Sequence, residues 1–268
     1  MSKVDMHVHS THSARPSEWF LQRIGTRESY TRPETIYREA LNQGMDFVTI
    51  TDHNSIEGSL RLQERHPENV FTGLEATTYF PETGCKVHLL VYGLNEAQFA
   101  IIDRLRADIY QLRDYVREQG LAHSVAHATY SINNRLTFEQ LEKLLLLFDS
   151  FEGINGSRSR HANEVLQTVL TGLTPKRMEL LSRTYGIEPF SDTPWIKTLT
   201  GGTDDHGGLF IGRTYTESSA ATPMEFLECL KQKKTCAQGR HNNYQGLAFS
   251  LYKIAYDFSC SHKSAVSS

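Results

Sequence analysis

Phe47-Val48-Thr49-Ile50-Thr51-Asp52-His53 is a short run of strand-forming residues that ends on an acid and an imidazole. The same unit recurs outward from it. β-rich runs at 4–8, 70–79, 87–92, 121–126, 150–154 and 199–203 bring the predicted strands to seven. Between them lie stretches with helical periodicity, around 33–43, 55–64, 96–119, 137–147, 161–171, 175–185 and 223–233. Pro33 and Pro223 stand early in their helices, and Thr137-x-x-Gln140 reads as a capping box. Strands alternating with helices imply parallel strands with helical crossovers, hence an α/β barrel or a doubly wound sheet. One junction differs: Pro81-Glu82-Thr83-Gly84 joins the third and fourth runs as a hairpin turn, so that pair is expected to be antiparallel.

The polar residues at the ends of these runs carry the chemistry. His7 and His9 close the first run, Asp52 and His53 the second, and Glu75 lies in the third. His88 lies in the fourth, His127 closes the fifth, Asn155 follows the sixth, and Asp204-Asp205-His206 follows the seventh. In a parallel barrel the carboxyl ends of the strands share one face, so these residues converge. Alternate residues of a strand point to one side, so His7 and His9 can grip one ion. Burying Glu75 or Asp204 without a countercharge costs several kcal/mol, and divalent cations supply one. A carboxylate between two cations can bridge them, and such a pair can hold a hydroxide that is nucleophilic at neutral pH. Hydrolysis follows from that arrangement.

The ordered set H-x-H-S, T-D-H-N, G-x-E, V-H-L-L-V-Y-G, A-H and G-G-T-D-D-H-G-G resembles the polymerase and histidinol phosphatase (PHP) superfamily over about residues 3–236. The resemblance implies a distorted (β/α)7 barrel with two or three divalent metal ions at the C-terminal ends of its strands. It implies that His7, His9, Glu75 and Asp204 hold the first ion and Glu75, His88 and His127 the second, with Glu75 as the bridge. In the family a third ion uses an Asp or His shortly after H-x-H together with the histidines matching His53 and His206. Here Ala14 stands where relatives often carry an acid. Either His12 replaces that ligand or it is a solvent-facing loop residue and two ions serve. The expected activity is hydrolysis of a small phosphoester of the sugar, nucleotide or amino-alcohol phosphate class. His53 and His206 are expected to take part in catalysis, with Arg15 and Arg158 stabilising the oxyanions in preference to Arg160 or Arg213. Zn, Mn and Fe suit the mixed ligands equally. The alternatives are a metal-bound accessory module with little turnover and a related C–N hydrolase.

A net charge of -3 and a pI near 6.5, with scattered Lys and Arg, give no footprint for bulk nucleic-acid binding. No apolar run approaches a membrane span, and Met1-Ser2-Lys3 leads straight into a strand pattern, so no membrane association and a cytoplasmic address are expected. Cys85, Cys229, Cys236 and Cys260 lack metal or redox spacing and read as reduced thiols. His123 reads as a strand residue away from the metals, and His66, His161, His241 and His262 as ordinary loop, helix-start or tail residues. The metal-dependent domain is expected to span 1–240. Residues 241–268 would form an amphipathic helix, with Leu251, Ile254, Ala255 and Phe258 on one face, and a frayed tail. That helix docks on the domain or mediates an oligomer.

Overall fold

The computed structural model describes residues 1–13, 28–241, 249 and 252–258. Its strands are β1 (Ser2–Val4), β2 (Gly73–Phe80), β3 (Cys85–Tyr92), β4 (Ala122–Val125), β5 (Ser150–Asn155), β6 (Thr198–Gly202), β7 (Thr214–Ser218) and β8 (Cys236–Gly239). Its named helices are α1 (Pro33–Asn42), α2 (Glu57–Arg65), α3 (Glu96–Leu105), α4 (Ile109–Glu118), α5 (Phe138–Leu147), α6 (Arg160–Thr171), α7 (Pro175–Tyr185) and α8 (Pro223–Lys231).

Local chemistry sets most boundaries. Gly84, at φ 64°, turns the hairpin that pairs β2 with β3 antiparallel. The box between Thr137 and Gln140 starts α5, and Thr174 and Thr222 cap α7 and α8 ahead of a proline. The single helix expected over 96–119 is two. Asp108 is extended and accepts hydrogen bonds from the amides of Tyr110 and Gln111, so it restarts the helix as a new N-cap.

The larger sheet has the order β2-β3-β4-β5-β6, antiparallel as far as β4 and parallel from β4 to β6. A smaller antiparallel sheet has the order β1-β7-β8. The closed seven-stranded barrel is therefore not what forms. The first expected strand shrinks to Ser2–Val4 and joins the small sheet, while 47–51 holds only an isolated bridge. Between β6 and β2 the chain is linked by single parallel bridges: Val8 with Asp205, Val48 with Val70, and His53 with Glu75. Side chains displace the ladder there. Thr51 Oγ1 accepts from Val8 N at 3.1 Å, and Asp52 Oδ1 accepts from Ser10 N at 2.6 Å. Strands β7 and β8 were not anticipated, because Thr214–Ser218 is polar and Cys236–Gly239 is largely exposed.

Helices α3 to α7 cover one side of the large sheet over a core that includes Leu74, Val91, Leu112, Leu144, Phe151 and Met178. Phe226 and Leu227 of α8 pack on Met6, Phe47, Phe71 and Tyr92. Ile36 and Leu62 of α1 and α2 close over Val8, Ile50 and Val70. Residues 252–258 are helical with Ile254 buried; Leu247 and Leu251 lie outside the described residues. Among the described residues no helix is long and apolar enough to cross a membrane.

Candidate metal centre

His7 and His9 flank Val8, whose bridge to Asp205 fixes the segment beside the end of β6. Both rings are held from behind. His7 Nδ1 lies 2.9 Å from Glu152 Oε1. His9 Nδ1 lies 3.0 Å from Ser13 Oγ, which itself donates to Asp52 Oδ1 at 2.9 Å. Because the Ser13 proton is committed to Asp52, His9 donates from Nδ1 and presents a bare Nε2. The two Nε2 atoms meet at 3.1 Å, and each lies 3.5 Å from Asp204 Oδ1. These three side chains form one group able to hold an ion.

Glu75, fully buried in β2, divides its oxygens between two sets of imidazoles. Oε2 faces His53 Nδ1 at 2.8 Å, His9 Nε2 at 3.3 Å and His7 Nε2 at 3.5 Å. Oε1 faces His88 Nδ1 at 2.7 Å and His127 Nε2 at 3.3 Å. The two shortest contacts lack hydrogen-bond geometry: His53 Nδ1, Glu75 Oε2 and both ring nitrogens of His88 are buried with no hydrogen-bond partner. Nitrogen and oxygen atoms that converge this closely without hydrogen-bond geometry suit a cation at their common centre. His53, Glu75 and His88 form a second such group. Two contributors sit on strained backbone, His127 at φ 31° and Asp204 at φ 51°. Such left-handed turns at non-glycine residues cost energy, and here they occur at the chain ends that enter the cluster.

His53 and His206 meet on a residue that the sequence did not single out. Glu28, buried, lies 3.0 Å from His53 Nε2 through Oε2 and 3.3 Å from His206 Nε2 through Oε1. His9, His53 and His206 form the third group of converging ligand atoms. His12 does not join them. Its Nδ1 turns outward to Glu57 Oε2 at 3.2 Å, with a fifth of the side chain exposed. No spacing signal marked Glu28, because it stands 19 residues after His9, farther than a local motif spans.

Burial penalises every charge here, and opposite neighbours decide the outcome. Despite that penalty, His53, His88 and His7 hold Glu75 well below the usual carboxylate range, and His7 does the same for Asp204. Desolvation opposes protonation of His7, but Asp204, Glu152 and Glu75 raise it well above its ordinary value. His53 is likewise raised by Glu28 and Glu75. His206 rises to about 9 through its hydrogen bond to Glu28 and that residue's charge. Desolvation dominates for His9 and His88, which fall to about 3 and about 4 and so are neutral donors at neutral pH. In the protein alone, protons on His7, His53 and His206 offset the carboxylates; divalent cations can replace those protons.

The remaining residues sort by distance. Glu152, also missed, ties the cluster from below: besides His7 it accepts from His127 N and Asn155 Nδ2, each at 2.8 Å. Asn155, the polar residue at the end of the sixth run, is buried and donates from Nδ2 to Asp204 Oδ2 at 3.1 Å. Asp205 faces away and accepts from the amides of Gly207 and Phe210. Arg158 reaches the cluster, with Nη2 3.7 Å from Asp204 Oδ2. Arg160 pairs with Glu164 and Arg213 stacks on Phe210. Arg15 lies outside the described residues. His123 is buried in β4 with Nδ1 on Leu121 O.

No protein-family profile matches the chain. An uncharacterized protein of Methanocaldococcus jannaschii is 32% identical over 79 residues, which is 28% of this chain and 44% of that protein. The match thus spans less than half of that relative. Among solved structures, PsfC from Pseudomonas syringae is similar with a TM-score of 0.52 at 15% identity, covering 97% of this chain and 98% of that one. An amidohydrolase from Chromobacterium violaceum, solved with sulfate and no metal, gives a TM-score of 0.51 at 12% identity, covering 85% of this chain and 96% of that one. These likenesses are of fold alone.

Proposed function

We propose that the chain is a metal-dependent phosphoesterase of the PHP type, hydrolysing a small phosphoester with two or three divalent cations. The observation that carries this reading is Glu75, whose two oxygens face separate sets of imidazoles as a bridging carboxylate does. A structural zinc site closes four ligands on one ion and leaves no reason for such a bridge. His7, His9, Glu75 and Asp204 would hold one cation, Glu75, His88 and His127 a second, and His53, His206 and Glu28 a third. Bound there, divalent cations supply Lewis acidity and make a nucleophile available from water at neutral pH. The protein's own part is positional. Glu152 and Ser13 fix the imidazole tautomers of His7 and His9. Arg158 places positive charge at the rim for the phosphoryl oxygens. Where two cations serve and the third position is empty, His206, partly exposed and bonded to Glu28, would hand a proton to the departing alkoxide; with a third cation it would be a ligand instead. We assign this activity to residues 1–240 and a docking or oligomer-forming role to the helix beyond.

A C–N hydrolase is the competing reading, favoured by the fold shared with the Chromobacterium violaceum amidohydrolase. The test is a panel of phosphoesters, amides and lactams, with Mn²⁺, Fe²⁺ or Zn²⁺ added to purified protein. Phosphate release that His9→Ala abolishes supports the proposal. Turnover of amides alone selects the alternative, and metal-loaded protein inert on the whole panel contradicts both.

A further inference from the structure

The geometry points to an oxyanion clamp in which Tyr130 is the positioning residue for Arg158, and to phosphomonoesters as the substrate class. This inference rests on the phosphoesterase reading above. The Arg158 guanidinium carbon lies 3.7 Å from the centroid of the Tyr130 ring, at cation–π distance. The Tyr130 ring in turn stands edge-on to the ring of His127, with centroids 5.8 Å apart and planes at 89°. Each partner is fixed by a tight turn: Tyr130 N donates to His127 O at 2.7 Å, and Arg158 N donates to Asn155 O at 3.2 Å. Arg158 is therefore anchored from two sides of the cluster, through the residue after β4 that faces Glu75 and through the end of β5.

Stacking occupies the face of a guanidinium and leaves its edge of N–H donors free. Arg158 has such a donor in reserve. Its Nε is buried and has no hydrogen-bond partner among the described residues, while Nη2 lies only loosely against Asp204 at 3.7 Å. Asp204 does not need that contact, because Asn155 already holds its Oδ2. A stacked side chain with a buried, uncommitted Nε donor beside an ion cluster suits an acceptor that offers two oxygens to one guanidinium edge, such as phosphate.

The substrate class follows from counting oxygens. A phosphodiester has two non-bridging oxygens, and cations at the centre can engage both. A phosphomonoester has a third and a second negative charge, so a fixed cation beyond the metals meets an oxygen of its own, where a diester must share one already held by the metals. A preset Arg158 thus favours the monoester.

The experiment uses metal-loaded full-length protein and compares wild type, Tyr130→Phe, Tyr130→Ala and Arg158→Ala. It measures the KM and kcat for p-nitrophenyl phosphate, and separately the Kd of inorganic phosphate and of dimethyl phosphate by calorimetry. Tyr130→Ala should raise KM and the phosphate Kd about tenfold with kcat changed less than threefold, and Tyr130→Phe should restore both to within about twofold. Arg158→Ala should weaken phosphate about 100-fold and shrink the preference for phosphate over dimethyl phosphate at least tenfold. Equal damage from Phe and Ala at 130, loss of metal from Tyr130→Ala, or an unchanged preference in Arg158→Ala would overturn the clamp. Wild-type protein that binds phosphate through Arg158 but turns over no phosphoester would overturn the phosphoesterase reading and leave the clamp standing.

Discussion

Glu28 is the residue on which the third ligand group turns. Its carboxylate joins His53 to His206 across 3.0 and 3.3 Å, and it lifts His206 to about 9 against the penalty of burial. A cation entering there must displace that proton. Affinity at this position should therefore rise with pH by up to about a hundredfold per unit while His53 and His206 are both protonated, and the His206 part of that rise should end near pH 9, as titration with Mn²⁺ at several pH values would show. The sign follows from the raised value: below about 9 the protonated imidazole competes with the ion. Glu28→Gln should remove one equivalent of metal and leave the ions held through Glu75. If Glu28→Gln kept the full complement, the carboxylate would be a partner of the histidines only. Residues at the ends of strand-like runs were legible in the sequence because type and position coincide: His7, His9, His53, Glu75, His88, His127, Asp204 and His206 all reach one cluster. Glu28 and Glu152 were not legible. One stands far in sequence from the H-x-H motif, and the other is a strand residue whose role depends on which imidazole lies behind it.

At the scale of elements, the end of α5 and the start of β6 are joined by a buried cation. Lys197, 1% exposed at its side chain, donates to Leu145 O and Phe148 O at 2.7 Å each and pairs with Asp149 at 3.1 Å. These carbonyls lie at the C-terminus of a helix, where a positive group is favourable. Lys197→Met would leave the two carbonyls without this donor and Asp149 with Lys233 alone, 2.8 Å from its other oxygen, so it should cost about 2–4 kcal/mol, read as a lowered denaturant midpoint with an unchanged slope. An effect below about 0.5 kcal/mol would show that water or Lys233 replaces it. A steric counterpart lies in β6. A Cβ at Gly202 would come within 2.4 Å of His7 Cβ and 2.6 Å of His7 N. Gly202→Ala should therefore displace His7 and lower metal affinity at least tenfold in calorimetric titration, and wild-type affinity would show that the backbone yields. Element types were legible where capping and periodicity agreed, as in α1, α5, α7 and α8. Pairing was not, because Thr51 and Asp52 take up amides that a ladder would otherwise claim, and β7 and β8 lack an apolar pattern.

For the whole molecule, the account is that an open five-stranded sheet, linked through single bridges to the H-x-H and 48–53 segments, brings imidazoles from four sequence-distant stretches onto one carboxylate, Glu75. Cations in such a centre are held jointly. Elemental analysis of dialysed wild-type and Glu75→Gln protein tests that claim most directly, with circular dichroism confirming that both are folded. Wild type should retain at least two equivalents of divalent metal per chain, and Glu75→Gln should retain less than one while keeping its secondary structure. A folded Glu75→Gln protein with the wild-type metal content, or a wild type that binds a single ion, would contradict the bridged centre.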